Sequence, residues 1–383
     1  MKVAIVVPYS WSFWGGVVEH ADHQCRALRA LGHDAWILMG SDPPGRLSAA
    51  LHPRAARSEP PPPYVRALGR SVIVPANASH ANIVLSPSAI VRLRRLLRRE
   101  RFDVIHAHEP LTPVIGAAAL LYAEAPIVAT FHAAGPFAWR AIGQRSWGFL
   151  LERIDRRIAV SDAARETAAA YSPGDYEIIP NGVVLPPEVD VAGRHDRVVY
   201  VGRHEARKGL GVLLEAWPQV HAASGVRLRV VGADPLAVRL LMSRRRLPGT
   251  GVDILGVLTE QDLTAELLEA KALVAPSIRA ESFGMVLTRA LACATPVVAS
   301  DIDGYNTVVD GDVGLLVPPG DPDALASAIL VLLADESRRQ ALGEQARVRA
   351  ESFSWERIAR RLAHVYSDLH GLGSPEEPTS RRA

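Results

Sequence analysis

Short apolar runs alternate with helix-patterned segments along almost the whole chain, and the pattern occurs twice. Such alternation predicts a parallel α/β sheet, because a helix must carry the chain back before each new parallel strand. In the first half the pattern predicts strands at 2–8, 35–39, 102–107, 127–131, 157–160 and 177–180, with a short one at 72–74. A helix is expected at 17–31. Another starts at Ser86-Pro87, a cap followed by proline at the first helical position. Residues 41–70, with four consecutive prolines at 60–63, read as an irregular surface loop. The second alternation has strands at 197–201, 227–231, 252–255, 272–275, 296–299 and 315–317, and helices at 323–334, 336–349 and 355–369.

A chain of 383 residues exceeds one ordinary core. The expected division is 1–182 and 183–354, with the proline- and valine-rich stretch 181–197 as linker. A last helix over 355–370 is expected to cross back to the first domain, and a tail over 371–383 to be disordered. The chain is 48% hydrophobic and 22% charged, as soluble globular proteins are. A net charge of +2 gives no sign of a nucleic-acid partner. Cys25 and Cys293 lie far apart and read as free thiols in a reducing compartment. The apolar start stops at Pro8, too soon for a signal peptide. The apolar region 114–134 is broken by Glu124, Pro126 and His132, which does not suit a membrane span. The expected location is the cytosol, or the surface of a membrane.

Several places carry chemistry. A buried strand ending near Ala275 leads through Glu281, Ser282, Phe283 and Gly284 into a helix beginning Met285-Val286. Free N–H groups at a helix start and the helix dipole both favour an anionic ligand, and glycine admits it closely. Gly15-Gly16 occupies the same kind of place after the first strand. The three-glycine dinucleotide spacing is absent, which argues against a dehydrogenase. Arg203 and Lys208 follow the strand at 197–201 and suit the charge that grows on a departing diphosphate. All but three of the 43 basic residues are arginine, so a lysine at 208 stands out. His132 ends the strand at 127–131 and suits a hydroxyl. His106, His108 and Glu109 have metal-like spacing, but sequence shows no third and fourth ligand, and Asp301 with Asp303 reads as a turn. No metal is expected. Residues 90–101 form a basic amphipathic helix. Ile90, Leu93 and Leu97 share one side, and Arg92, Arg94, Arg95, Arg98 and Arg99 cover the others, a pattern suited to anionic lipid or to plain solvation. Trp11, Phe13 and Trp14 suit an interface or simple packing.

Taken in order, Gly15-Gly16-Val17, the run Phe102 to Pro110, Ile158 to Ser161, Ile179 to Val183, Gly202-Arg203 with Lys208-Gly209, and Glu281 to Gly284 resemble the retaining glycosyltransferases of family 4. The resemblance covers about 2–369. The start Pro8-Tyr9-Ser10, the run His108-Glu109-Pro110, the run Ala129 to His132 and the basic helix look most like the phosphatidylinositol mannosyltransferases. The resemblance implies the GT-B fold, with two Rossmann-like parallel-sheet domains facing a cleft. It implies a nucleotide-sugar donor, such as GDP-mannose, held mainly by the second domain, and a lipid or glycan acceptor held mainly by the first. Arg203 and Lys208 would hold the diphosphate, and Glu281 the sugar hydroxyls. Ser282, Phe283, Gly284, Met285 and Val286 would line the sugar and phosphates. Leu258 would lie by the base, Gly15 and Gly16 by the diphosphate, His132 by the transferred sugar, and Tyr9 in the substrate site. Stereochemistry would be retained without a metal or other cofactor, and the enzyme would sit on the inner face of the membrane. Three positions depart from the family pattern. Arg289 stands where a second glutamate is expected for the ribose and has no acceptor to offer. Val184 stands for a frequent aspartate. Asn82 stands for the arginine expected at an inositol phosphate. A non-catalytic binding relative, a UDP-sugar enzyme and a sugar-nucleotide epimerase remain alternatives.

Overall fold

The computed structural model describes residues 1–52, 60–76, 79–135, 148–187, 189, 193–279 and 281–369. The expected tail at 371–383 lies outside these residues. Two compact units emerge: Met1–Val160 with Arg165–Gly182 and Trp355–Ala383, and Ser161–Ala164 with Val183–Ser354.

In the first unit the strands are β1 (Lys2–Ser10), β2 (Asp34–Gly40), β3 (Val65–Ala67), β4 (Val72–Ala76), β5 (Ser79–Ile83), β6 (Val104–His108), β7 (Ile127–Phe131), β8 (Arg156–Ala159) and β9 (Tyr176–Ile178). Their main order is β3-β2-β1-β6-β7-β8-β9, and every neighbouring pair on that path is parallel. The helices are α1 (Gly16–Ala30), α2 (Arg46–Leu51), α3 (Pro87–Glu100), α4 (Ile115–Tyr122) and α5 (Gly148–Leu151), and α6 (Asp162–Ala169) follows β8. Successive side chains of a strand point to opposite faces. Val3, Ile5 and Val7 of β1 therefore join the core beneath α1, while Ala4 and Val6 join the one beneath α3 and α4. A strand buried on both faces reads as a continuous apolar run, which is why β1 was legible.

Two expectations fail here. The stretch 41–70 is not wholly irregular, because it contains α2 and the short β3 paired to β2. The sheet is not wholly parallel either. The strand expected at 72–74 extends to Ala76, pairs antiparallel with the unforeseen β5, and meets β1 through Tyr9 and Ile83. Strand β5 reads Ser-His-Ala-Asn-Ile, with little apolar pattern to reveal it. Helix α3 buries Ala89, Leu93 and Leu97, whereas Ile90 is half-buried, so its inner stripe runs through Ala89.

The second unit carries β10 (His195–Val201), β11 (Arg227–Val231), β12 (Val252–Gly256), β13 (Ala270–Ala275), β14 (Val297–Ser300) and β15 (Gly314–Val317) in the order β12-β11-β10-β13-β14-β15, all parallel. Its helices are α7 (Leu210–Ser224), α8 (Pro235–Arg245), α9 (Glu260–Glu269), α10 (Met285–Ala292), α11 (Asp303–Asn306), α12 (Pro322–Ala334) and α13 (Glu336–Glu351). This is a doubly wound sheet of the 3-2-1-4-5-6 type. In such sheets the loops after the first and fourth strands diverge, and a ligand crevice opens between them. The diverging loops are those after β10 and β13 in the second unit, and those after β1 and β6 in the first.

Helix α14 (Trp355–Leu369) belongs to the first unit. Trp355, Ile358, Ala359, Leu362, Val365 and Tyr366 are buried with Val3, Ile5, Val7 and residues of α1. Gly182 makes room for the Trp355 ring, since a Cβ there would sit 2.4 Å from it. Cys25 and Cys293 are buried free thiols, and burial pushes both up to about 12. Among the described residues no helix is long and apolar enough to cross a membrane.

Candidate active site

In the second unit, the loops after β10 and β13 bring Arg203, Lys208 and Glu281 into one cluster. Lys208 Nζ lies 2.8 Å from Glu281 Oε1. Arg207, which drew no notice in the sequence, lies closer, with Nη1 2.6 Å from the same oxygen. Its Nη2 reaches Glu205 at 2.9 Å, and Arg203 Nη2 reaches Glu205 at 2.9 Å. Ser277 Oγ donates to Glu281 Oε1 at 3.4 Å and also meets the Tyr305 hydroxyl at 2.7 Å. Three cations and two carboxylates thus share one place, with Lys208 and Glu281 largely shielded and Arg203 43% exposed. An entering diphosphate would meet Arg203 first and compete with Glu281 for Lys208.

Glycines set this geometry. Gly284 begins α10 at φ +83°, and a Cβ there would lie 2.8 Å from Leu287 and from the Tyr305 ring. Gly209 ends the 3₁₀ turn Ala206–Lys208 at φ +70°, and its Cβ would fall 1.7 Å from the Pro276 carbonyl oxygen. Gly209→Ala therefore combines left-handed strain with a backbone clash. It should cost about 3 kcal/mol and lower the melting temperature of this unit by roughly 6–12 °C. Calorimetry checks it, and an unchanged melting temperature would refute the clash.

The other residues singled out in this unit fall as follows. Ser282, Met285, Val286 and Leu258 are half-buried, the last just beyond Gly256 at the end of β12. The Phe283 ring is wholly buried and packs edge-on against Phe353 at 5.7 Å, so only its main chain is available to a ligand. Arg289 lies on α10 with Nη2 3.7 Å from Glu260 at the start of α9. The position expected to hold a carboxylate thus holds a cation, with a carboxylate next to it.

The first unit builds its cluster at the β1/β6 switch point. His108 ends β6 and His132 follows β7. His108 Nδ1 and His132 Nε2 are 2.8 Å apart and share a proton. Glu109 adopts φ +48°, and its Oε1 accepts from the main-chain N–H groups of His132 (2.6 Å) and Ala133 (2.9 Å). His20 of α1 packs edge-on against His132 at 4.9 Å and His108 at 5.3 Å. His106 bonds Thr130 Oγ1 at 2.6 Å and the Tyr366 hydroxyl of α14 at 2.5 Å, and Gln24 Nε2 donates to both His106 Nδ1 and Tyr366. Burial drives His20 down to about 4, His106 to about 3, and His108 and His132 well below the usual histidine range. Burial also pushes Glu109 up to about 7, against the two main-chain hydrogen bonds that lower it. Tyr9 is raised by burial and then by the Glu109 charge, so it belongs to the same cluster. The sequence offered His106, His108 and Glu109 as a metal-like run, and His132 apart from it. The fold adds His20 and His132, and the ring nitrogens of His20, His108 and His132 lie within 4.8 Å of one another. That trio leaves out His106 and Glu109, so it does not complete the run the sequence suggested, and one nitrogen each of His108 and His132 is already engaged with the other.

Gly15 and Gly16 are exposed at the start of α1, and nothing among the described residues lies within 4 Å of a Cβ built at Gly15. Trp11 is buried edge-on to the exposed Trp14 at 5.3 Å, and Phe13 lies 4.2 Å from the His52 ring. Asn82 Oδ1 sits 3.0 Å from His52 Nδ1.

Two doubly wound units, each with its polar cluster at the switch point, define the GT-B class of glycosyltransferase. The solved sucrose-phosphate synthase of Thermosynechococcus elongatus shares this fold, with a TM-score of 0.73 at 23% identity over 97% of this chain and 100% of that one. A family model described as Glycosyltransferase Family 4 matches residues 14–185, and one described as Glycosyl transferases group 1 matches 195–335. The chain is 35% identical to the phosphatidyl-myo-inositol mannosyltransferase of Mycobacterium leprae, over 99% of this chain and all of that protein. It is 33% identical to that of Mycolicibacterium smegmatis, over 97% and 95%. The chain belongs to glycosyltransferase family 4 and is a hexose-transferring enzyme.

Proposed function

We propose that the protein transfers mannose from GDP-mannose to a phosphatidylinositol-type lipid, with retention of configuration and without a metal or other cofactor. The similarity to mannosyltransferases over the whole chain supports the choice of sugar and acceptor. The chemistry rests on one observation, the convergence of Lys208 and Arg207 on Glu281 with Arg203 alongside. Cations already in place stabilise negative charge growing on a departing diphosphate. Glu281 accepts hydrogen bonds from the sugar, and the main chain at Ser282 to Val286 borders the phosphates. The acceptor hydroxyl attacks on the face the diphosphate leaves, and its proton passes to the departing phosphate oxygen. Tyr9, His132, Gly15 and Gly16 serve the first unit's share of the site, and Leu258 and Arg289 border the nucleotide.

A panel of nucleotide sugars, with phosphatidylinositol vesicles as acceptor, tests this. Product from GDP-mannose alone is expected. Product from a UDP-sugar would overturn the donor. Nucleotide binding without any product would overturn the proposed acceptor. Sugar conversion without acceptor would mark an epimerase.

The acceptor places the enzyme on an anionic membrane face, and α3 supplies the charge. Arg98 and Arg99 are matched by Glu124 and Glu100. Arg92, Arg94 and Arg95 are exposed, beside Val91 at 56% exposure. At roughly 1 kcal/mol per cation, replacing these three by alanine should weaken vesicle binding about 100-fold. Replacing Arg98 and Arg99 should matter less. Flotation of wild type and both variants with equal recovery would remove α3 as the docking surface.

A further inference from the structure

Two consecutive residues at the end of β6 grip one residue at the end of β7. His108 holds the His132 ring, and Glu109 holds its main chain at both His132 and Ala133. The grip is built into a strained loop, with Glu109 at φ +48° and the β-branched Val114 at φ +70°. Gly116 at the start of α4 lets that loop close, since a Cβ there would lie 2.5 Å from the Pro110 carbonyl oxygen. Strain of this kind persists where the surroundings over-determine a geometry.

The grip also determines where the protons sit. A neutral imidazole has one N–H and one bare nitrogen. His108 Nε2 is buried and has no hydrogen-bond partner among the described residues. A buried N–H without an acceptor is rarer and costlier than a bare acceptor. The His108 proton therefore resides on Nδ1 and is donated to His132 Nε2. His132, accepting at Nε2, then carries its own proton on Nδ1. His106 is held in the opposite tautomer, because Gln24 donates to its Nδ1 and its Nε2–H faces Thr130. The groups around His132 are His20 from α1, His106 and His108 from β6, Glu109 after β6, and the Asn181 side chain, which lies beside both His20 and His132.

We propose that His108 and Glu109 are positioning residues that fix His132 as an uncharged hydrogen-bond donor through Nδ1, aimed at an oxygen of the sugar or the acceptor. His132 cannot then serve as the base that takes the acceptor proton, because its lone pair is spent on His108. This rests on the transferase reading only for what His132 donates to. The tautomer itself belongs to the protein without substrate.

Nitrogen-15 NMR of histidine-labelled enzyme reads the tautomer directly. A protonated Nδ1 at His132, unchanged between pH 8 and 6, is expected. A protonated Nε2, or titration of His132 in that range, would overturn the proposal and leave the glycosyltransferase assignment intact. Kinetics supply the second arm. His108→Leu should lower kcat by about 10- to 100-fold through misplacement of the ring, with donor KM little changed. His108→Asn puts an N–H donor at the place of Nδ1 and should recover most of that loss. Equal losses in the two variants, with both folded by circular dichroism, would show that the bond to His132 does not matter. Absence of transferase activity in the wild type would instead count against the donor or acceptor, and the NMR result would stand.

Discussion

Acidification from pH 7 to pH 5 is expected to destabilise the first unit by roughly 5 kcal/mol while leaving the second much less affected. The cause is the buried histidine cluster. His20, His106, His108 and His132 all have folded pKa values depressed by burial. A depressed group contributes stability that is present above its unfolded value, near 6.5, and is lost as pH falls toward its folded value. Below pH 6.5 the unfolded chain binds protons that the folded unit refuses. Each histidine then costs about 1.4 kcal/mol per pH unit, or about 2 kcal/mol by pH 5. Glu109 acts in the opposite sense. Its folded value is raised to about 7, so the folded state takes up its proton first as pH falls, which returns about 2–3 kcal/mol over the same range. The net remains a loss. Hydrogen exchange resolved by peptide is the suitable measurement, because it reports each unit separately. Protection at β1, β6 and β7 that does not change between pH 7 and 5 would contradict the burial of neutral imidazoles.

Lys208→Ala should lower kcat by about 10²–10³-fold, equivalent to about 3–4 kcal/mol of transition-state stabilisation, with little change in melting temperature. Its ammonium is 2.8 Å from Glu281, and Glu281 keeps Arg207 at 2.6 Å and Ser277 at 3.4 Å when the lysine is removed. The cluster therefore survives structurally but loses a cation aimed at the leaving group. Glu281→Ala differs, since it leaves Arg207 and Lys208 without their shared carboxylate and should cost stability as well as rate. Lys208→Arg is not expected to rescue, because a planar guanidinium does not replace a compact ammonium held by one oxygen. Steady-state kinetics on GDP-mannose decides the matter. Full activity of Lys208→Ala would show that this cluster is not where the diphosphate leaves.

Most of the fold was legible because buried parallel strands have an unmistakable pattern. Strands β1, β13 and β14 carry uninterrupted apolar runs at 3–7, 272–275 and 297–299, and the glycines, prolines and caps between the strands mark the turns. Strand β5 escaped because its order comes from pairing with β4 and β1 and not from its own burial. Of the candidate site, Lys208 and Glu281 stood out by position after a strand and are brought together by the fold. Arg207 looked like one more arginine in an arginine-rich chain, and only the folded loop shows its grip on Glu281. His20 was hidden in the interior pattern of α1, and Tyr366 in the apolar stripe of α14. Their partners lie 88 and 260 residues away or more in sequence, and no local pattern encodes such a meeting.

The order in which a ribosome delivers this chain runs against the order in which its parts can be finished. Val183 and Ser354 form a parallel bridge, and Val183 N–H donates to the Phe353 carbonyl at 2.8 Å, so the long stretch between them starts and stops at one point. That stretch holds all six strands of its own sheet and can complete itself as soon as it emerges. The part synthesised first cannot. Tyr366, which bonds His106, and Trp355, which fills the space above Gly182, arrive only with the final residues. Until then the earliest-made sheet waits with one face covered only in part, by α1, so a stalled or truncated chain should present the rest of that face to chaperones while its later half is already folded.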